Sequence, residues 1–192
     1  MNKIAILSSH NGSGFEALYE ALKNNILNID IPLIISNNSN AKVLDKAKKL
    51  NIDNYIINNK LFDNIDKKIY ELLKQYDCKI VFLSGYMKKI SSIITNNFNV
   101  INSHPSLLPL YGGGGMYGRF VHEAVINNKE KISGVTIHKV NENYDEGEII
   151  LQKTLQIDKN ETSKTLEDKI KLLEKETIVD GFKLYLNQKK MN

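Results

Sequence analysis

Short apolar runs alternate with amphipathic stretches along most of the chain, and this alternation limits the fold more than any other feature of the sequence. The run Ile80–Leu83 (IVFL) has no polar residue, as expected of a strand that is buried on both faces of a sheet. Strands that alternate with helices predict a parallel sheet covered by helices. The sequence therefore predicts a doubly wound α/β fold with a mostly parallel sheet.

The predicted elements follow one another with short connections and without an internal repeat or a proline-rich linker. We predict seven strands, at residues 3–8, 31–36, 54–57, 80–83, up to 101, 135–140 and 149–156. We predict six helices, at residues 15–25, 41–50, 65–76, 91–98, 120–127 and 165–186. A chain of 192 residues fits one domain, so we expect a single domain over residues 1–192 with a tail that frays from about residue 187.

Composition excludes several classes of protein. The net charge of +4 suits anionic small molecules but is too small to predict a nucleic-acid partner. Cys78 is the only cysteine, so an intramolecular disulfide and a cysteine-based metal site are excluded, and the four histidines lack the spacing of a zinc site. Because the apolar runs are too short for a signal peptide or a membrane span, we expect a cytoplasmic protein with no membrane contact.

The first candidate site is a glycine-containing turn, SSHNGSGFEAL, between the first predicted strand and the first predicted helix. Backbone N–H groups at a helix N-terminus bind phosphate, and glycine permits close approach, so Gly12, Ser13 and Gly14 are candidates for a phosphate site. The spacing matches neither the P-loop nor the dinucleotide fingerprint. The alternative is a tight turn in which Ser13 only caps the helix.

The second candidate site is VINSHPSLLP at the end of a predicted strand. Asn102 and His104 are two residues apart, so their side chains leave the strand on the same side. Pro105 biases the backbone of His104 toward an extended conformation. An amide and an imidazole that converge can stabilise an oxyanion, and the imidazole can also move a proton near neutral pH. The alternative is a hydrogen-bonded histidine with only a structural role.

The third candidate site is the acidic turn NENYDEGEI, which contains Glu142, Asp145, Glu146 and Glu148. A carboxylate that folds back against His104 would raise the pKa of the imidazole and orient its ring. Composition does not choose among the four carboxylates. The remaining histidines, including His122 and His138, could each be packed structural residues, and the run of four glycines at 112–115 predicts either a mobile cover or an ordinary connector.

Taken together, these segments resemble the folate-dependent formyltransferases. The resemblance is carried by NSHPSLLP and by Asp145 within YDEGEIILQ, and SHNGSGFEAL narrows it to the branch that formylates a glycinamide ribonucleotide in purine (IMP) biosynthesis. It extends from Ile4 to the final helix. The family implies a Rossmann-like sheet, the formyltransferase fold, with the active site at the carboxyl edge of the strands.

The resemblance also implies a reaction and its catalytic residues. A formyl group moves from 10-formyltetrahydrofolate, a co-substrate, to the glycine amine of the ribonucleotide, and no metal takes part. Asn102 and protonated His104 are implied to stabilise the oxygen of the tetrahedral intermediate. Asp145 is implied to pair with the imidazole, and a water near it to relay the proton from the amine to the folate.

Further residues are implied to bind the two small-molecule substrates. Those implied for the ribonucleotide are Gly12, Ser13, Gly14 and Glu174. Those implied for the folate are Met87, Lys88, Lys89, Ile90, Asn102 and Val140, the last opening a loop that runs to Asp145. The chain departs from the family where asparagine is common, at Gly14, and where a basic residue is common, at Ile65. We expect a monomer or a homodimer.

Three alternatives stay open at this level. Methionyl-tRNA formyltransferase shares the implied catalytic set but normally carries a tRNA-binding domain, which we do not expect here. Formyltetrahydrofolate deformylase shares the set as well but usually has an extra N-terminal domain, whereas Ile4 already lies in the first predicted strand. A non-catalytic nucleotide-binding module would need the glycine turn but not the set at Asn102, His104 and Asp145.

Overall fold

The computed structural model describes residues 1–191, with side-chain surroundings for residues 1–189. The chain groups into two compact units, Met1–Asn102 and Ser103–Asn192. Among the helices of residues 1–191, none combines the length and the apolar character that crossing a bilayer requires.

The first unit contains a sheet of parallel strands with helices in the connections. The strands are β1 (Asn2–Leu7), β2 (Ile29–Ser36), β3 (Asp53–Ile56), β4 (Ile80–Leu83) and the first part of β5 (Asn99–His104). The helices are α1 (Ser13–Lys23), α2 (Lys42–Lys49), α3 (Ile65–Gln75) and α4 (Ser92–Thr95). The order β3-β2-β1-β4-β5 places β1 at the centre, with the chain wound outward on either side of it. This is the doubly wound arrangement, in which ligands bind beyond the carboxyl ends of the strands.

The central strands of this sheet are buried on both faces. Every residue of β4 is buried, and consecutive residues of a strand point to opposite faces, so both faces are covered. Ile4 and Ile6 of β1 are fully buried as well. The apolar stripe of α1, which includes Phe15 and Leu18, completes the core and fixes the direction in which α1 leaves the end of β1.

The second unit continues from the last two residues of β5. Its elements are α5 (Arg119–Asn127), β6 (Ile132–Lys139), β7 (Ile149–Gln156) and α6 (Ser163–Met191). Strands β6 and β7 pair antiparallel, with a shift of register between Ile137 and His138. Helix α6 packs on both strands, and a Cβ at Gly181 would lie 2.9 Å from Ile137, so glycine is what permits this close approach.

The predicted fold class and elements are confirmed within residues 1–191, and the differences in their bounds have physical causes. Strand β5 runs on to His104 and ends there because Pro105 has no N–H to donate to a ladder. Strand β6 begins at Ile132, earlier than predicted. The prediction missed its start because Gly134 interrupts the apolar pattern. In the structure the Lys153 carbonyl approaches Gly134 closely, and only a residue without a Cβ leaves room for it. Helix α6 runs to Met191, past residue 187, and Asn192 lies outside the described residues.

Candidate active site

The glycine turn after β1 opens helix α1 without a side-chain cap. Gly12 has a φ of 66°, in the left-handed region, and a Cβ there would lie 2.5 Å from Cγ2 of Val43, so only glycine fits. Helix α1 begins at Ser13, and within the described residues no side chain bonds to its capping position. The alternative in which Ser13 caps the helix is therefore wrong. Of the first N–H groups of α1, that of Phe15 bonds to a side chain, and those of Ser13 and Gly14 have no side-chain acceptor among the described residues.

Neighbouring elements of the same unit fix this turn. The N–H of Val43 donates to the carbonyl of His10 at 3.1 Å, and Nζ of Lys46 donates to the carbonyl of Asn11 at 2.7 Å. The N–H of Phe15 donates to Oγ of Ser84 at 3.1 Å. The turn is thus held by one backbone–backbone bond and two bonds to side chains before any ligand arrives. A preformed cluster of N–H donors at a helix N-terminus favours an anion.

A buried hydroxyl, that of Ser9, connects the loops that follow three strands. Ser9 is 2% exposed, and its Oγ donates to Oδ1 of Asn37 at 2.5 Å and accepts the N–H of Met87 at 2.8 Å. Nδ2 of Asn58 donates in turn to the carbonyl of Asn37 at 3.2 Å. Ser9 was not among the predicted site residues, because a serine beside a glycine turn gives no sign of its distant partners.

A cleft of about 640 Å³ lies beside this network in the first unit. It is lined by the loops after β2, β3 and β4 and by the start of α3, including Asn37, Asn58, Lys60, Ile65, Lys88 and Lys89. Of the residues implied to bind folate, Lys88 and Lys89 line the cleft and are exposed, Met87 is also exposed, and Ile90 is buried. Lys60 supplies a cation near the position where Ile65 departs from the family pattern.

His104 is the last residue of β5 and is 4% exposed. Its Nε2 lies 2.7 Å from the carbonyl oxygen of Tyr111, and since a carbonyl only accepts, Nε2 carries a proton and donates it. Its Nδ1 lies 3.6 Å from Oδ2 of Asp145. Asn102 is half-buried two residues earlier on the same strand, with its side chain on the same side of that strand.

Asp145 is the member of the acidic turn that the structure places beside His104. Its Oδ2 accepts the N–H of Gly113 at 2.9 Å, and its backbone has a φ of 58°. Two of the other three carboxylates of the turn have other described contacts. Glu148 pairs with Lys139, and Glu146 accepts from Asn143.

A second histidine, His138, faces the same carboxylate. Its Nε2 lies 3.5 Å from Oδ1 of Asp145, and its Nδ1 donates to the carbonyl of Lys139 at 2.8 Å. The sequence indicated only that His138 could be a packed residue. Its place on one face of β6 could be read from the alternation of that strand, but its partner comes from a loop whose path the sequence does not specify. Asp145 therefore lies between two imidazoles.

Burial and charge act in opposite directions on the pKa of His104. Burial lowers it, and the neighbouring His138 acts in the same sense, while Asp145 and the Tyr111 carbonyl raise it. Burial prevails, so the pKa of His104 lies below its ordinary value. The expectation that a carboxylate would raise it fits the contribution of Asp145 but is wrong for the net pKa.

The pKa of Asp145 is also set by competing effects. Burial alone would raise it, but the contact with the His138 imidazole, the charge of His104 and the N–H of Gly113 together hold the pKa of Asp145 below its usual range. Asp145 is therefore ionised at neutral pH. The site combines an anion with an imidazole that can take or give a proton.

Two further implied residues lie in the second unit. Glu174 on α6 lies deep among protein atoms with part of its surface exposed, and burial raises the pKa of this carboxyl. Its Oε1 accepts the hydroxyl of Ser103 at 2.6 Å, a partner that was not predicted from the sequence. Val140 is half-buried directly after β6, where the loop that carries Asp145 begins. Among residues 1–191, the structure has no cluster of three or more His, Cys, Asp or Glu side chains suited to a metal ion.

The chain belongs to the formyl transferase family, whose model matches residues 2–181. It is 33% identical over 179 residues to the phosphoribosylglycinamide formyltransferase of Bacillus subtilis (strain 168), covering 91% of this chain and 89% of that protein. The crystal structure of glycinamide ribonucleotide transformylase 1 from Symbiobacterium toebii superposes with a TM-score of 0.90 at 25% identity, over 98% of this chain and 89% of that one. The phosphoribosylglycinamide formyltransferase structure from Anaplasma phagocytophilum gives 0.86 at 29% identity, over 97% and 87%. The family predicted from the sequence is confirmed.

Proposed function

We propose that the protein transfers a formyl group from 10-formyltetrahydrofolate to the glycine amine of N1-(5-phosphoribosyl)glycinamide, a step of purine biosynthesis. The family membership and the names of its relatives support this reaction. The observation that carries it in this chain is the buried imidazole of His104 beside ionised Asp145 at the carboxyl end of β5.

The proposed chemistry needs an oxyanion donor and a proton carrier. The amine nitrogen attacks the formyl carbon, the new C–N bond forms, and the carbonyl oxygen becomes negative. The Asn102 amide and the protonated form of His104 stabilise that oxygen. Collapse of the intermediate breaks the bond to N10, which takes up a proton while the former amine loses one. Overall the charge is unchanged.

His104 and Asp145 are suited to that proton transfer. Because the Tyr111 carbonyl holds Nε2–H, Nδ1 is the nitrogen that faces Asp145. The 3.6 Å between Nδ1 and Oδ2 exceeds a hydrogen bond, so a bridging water fits the role of relay. The depressed pKa of His104 makes its proton easy to give, and the approach of negative charge makes it easy to regain.

Each substrate has a proposed set of contacts. The phosphate of the ribonucleotide binds the N-terminal N–H groups of α1 at Gly12, Ser13 and Gly14, and Glu174 accepts hydroxyl hydrogens of the same substrate. The folate contacts Met87, Lys88, Lys89, Ile90, Asn102 and Val140. Its carboxylates are attracted by the cations of the cleft in the first unit, which include Lys60.

The direct test is turnover by the purified protein. With both substrates present, tetrahydrofolate is released and followed by absorbance, and the formylated amide is identified by mass. The same assay without the ribonucleotide separates transfer from hydrolysis. Release in its absence would point to a deformylase, and no release with fresh substrates would sink the proposed transfer.

Asp145→Asn is expected to lower kcat about tenfold, because the proposed water relay loses its contact with a charged group, and such contacts contribute about this much. Asparagine keeps an oxygen that accepts the N–H of Gly113 but loses the charge, so the pKa of His104 falls further below its ordinary value. The measurement is kcat against pH for both proteins. Glu142→Gln, a change to an exposed carboxylate of the same turn, serves as the control. Equal kcat in wild type and Asp145→Asn would remove Asp145 from the mechanism.

Ser9→Ala is expected to raise KM for 10-formyltetrahydrofolate about fivefold, because the Met87 N–H loses an acceptor that contributes about 1 kcal/mol. The KM for the ribonucleotide and kcat are expected to change little. Ser8→Ala is a matched control, since Ser8 precedes Ser9 directly, is also buried, and has a hydroxyl without a partner among the described residues. Equal rises in both KM values would show that Ser9 supports both proposed binding segments and not only the one around Met87.

A further inference from the structure

Residues 111–113, which we call the bridge segment, contact both His104 and Asp145 through backbone atoms. The carbonyl of Tyr111 accepts from Nε2 of His104 at 2.7 Å. Two residues later, the N–H of Gly113 donates to Oδ2 of Asp145 at 2.9 Å. One short piece of backbone thus fixes a nitrogen of the imidazole and an oxygen of the carboxylate.

The shape of the bridge segment is unusual for its sequence. Tyr111 has a φ of 57°, a left-handed conformation that is rare for a bulky residue and persists only where its surroundings enforce it. A Cβ at Gly112 would lie 3.1 Å from Cβ of Asp145 and 2.6 Å from Cδ2 of Leu108, so the backbone packs directly on the carboxylate residue. Gly113 follows with a φ of 90°.

The side chain of Tyr111 holds the bridge segment through hydrogen bonds to residues outside that segment. Its phenol donates to Oε1 of Glu130 at 2.6 Å and accepts from Nδ2 of Asn128 at 3.0 Å. Both partners lie in the turn between α5 and β6, which the two elements hold in place. A hydrogen bond to a carboxylate is shorter and stronger than a neutral one, so this contact can hold a strained backbone.

We propose that Tyr111 is a positioning residue: its phenol, fixed to Glu130 and Asn128, holds the bridge segment so that His104 and Asp145 keep their places. Through its carbonyl, Tyr111 keeps the proton of the neutral imidazole on Nε2 and turns Nδ1 toward Asp145. Where this concerns turnover, it rests on the proposed function. None of the residues implied by the family resemblance has this role.

A shift in the titration of His104 reports the position of the bridge segment. The titratable groups that face its imidazole are Asp145, His138 on β6 and, from α5, His122. Among the contacts that raise the pKa of His104 is the bond to the Tyr111 carbonyl. If the bridge segment moves, that contact weakens, and the pKa of His104 falls further.

The test is Tyr111→Phe, which removes the phenol oxygen and keeps the ring. We expect kcat to fall about tenfold with little change in either KM, since small misplacements of reacting groups have effects of this size or larger. We expect the pKa of His104, followed by nuclear magnetic resonance of the imidazole without substrate, to move down. Tyr70→Phe, a phenol deletion on α3 in the first unit, is expected to change neither.

The hydrogen bond between Tyr111 and Glu130 can also be tested by changing Glu130. Glu130→Gln keeps an oxygen that accepts the phenol hydrogen, so kcat and the titration of His104 are expected to stay near those of wild type. Glu130→Ala removes the acceptor and should reproduce Tyr111→Phe, and the double variant should lose little more than either single one. Simple addition of the two losses would contradict a shared path through the bridge segment.

Two results would overturn the proposal. The first is an unchanged His104 titration in Tyr111→Phe; if kcat then falls only together with the melting temperature, the tyrosine is merely structural. The second is a higher kcat, which would mean that the Tyr111 carbonyl competes with substrate for Nε2–H. The titration needs no substrate. If wild type fails the turnover assay while Tyr111→Phe still shows the downward shift, the proposed function is contradicted and the positioning role stands.

Discussion

His104→Ala is expected to lower kcat by about 10²–10³, the usual cost of removing one donor from an oxyanion site. The imidazole is buried at the end of β5, where its proton positions are set by the Tyr111 carbonyl and by Asp145. Alanine removes both the donor and the proton carrier. Neither KM should change by more than about twofold, because the proposed contacts to both substrates lie elsewhere.

The control for His104→Ala is His10→Ala, since His10 is exposed in the loop after β1. Steady-state kinetics of the two variants, together with their melting temperatures, separates chemistry from folding. Loss of a buried imidazole leaves a cavity and the Tyr111 carbonyl without its donor, so some loss of stability is expected. A folded His104→Ala protein with the wild-type kcat would contradict the proposed mechanism.

The fold was predictable because burial on both faces leaves a direct trace in the sequence. Strand β4 was predicted at its observed bounds, Ile80–Leu83, since four consecutive apolar residues between polar ones are typical of a strand at the centre of a covered sheet. Strand β6 was predicted to begin too late because Gly134 breaks the apolar pattern. Its real role depends on the Lys153 carbonyl, which the sequence does not place beside it.

The candidate site was only partly predictable because much of it is backbone. The pair Asn102 and His104 follows from the alternation of a strand, but Asp145 was selected from four carboxylates only by family resemblance. The groups that hold Asp145 and His104 are the N–H of Gly113 and the carbonyl of Tyr111, which any residue type could supply. No pattern of side chains predicts them.

The glycine run shows the same limit in another form. The sequence offered a mobile cover or an ordinary connector for residues 112–115. In the structure Gly112 packs on Asp145 and Gly113 bonds to it, whereas a Cβ at Gly114 or Gly115 would have no described neighbour within 4 Å. The first two glycines therefore belong to the site. Likewise, the net pKa of His104 depends on the depth of burial, which one sequence does not reveal.

A different physical requirement governs Gly12. Its φ of 66° lies where side chains are rarely tolerated, and a Cβ would lie 2.5 Å from Cγ2 of Val43 on α2. A side chain at this position therefore acts first on the path of the turn and not on the ligand. The turn must move away from α2, and with it move the N–H groups at the start of α1 that are proposed to bind phosphate.

Gly12→Val is accordingly expected to raise KM for the ribonucleotide about 100-fold, since two hydrogen bonds to a charged group contribute about 1.5–3 kcal/mol each and only part of that is lost. The KM for 10-formyltetrahydrofolate should change by less than about threefold. Gly85→Ala is the comparison, because Gly85 also has a positive φ, of 67°, but a Cβ there would have no described neighbour within 4 Å. It therefore introduces backbone strain without the clash.

The decisive measurement is the pair of KM values in Gly12→Val, taken with its melting temperature. A large rise confined to the ribonucleotide means that the turn binds phosphate. Inorganic phosphate gives a second readout, since it should inhibit wild type by competing with the ribonucleotide and should lose that effect in Gly12→Val. If both KM values rise together in a folded protein, or if phosphate inhibits both proteins equally, the phosphate binds elsewhere and the N-terminus of α1 serves only to start the helix.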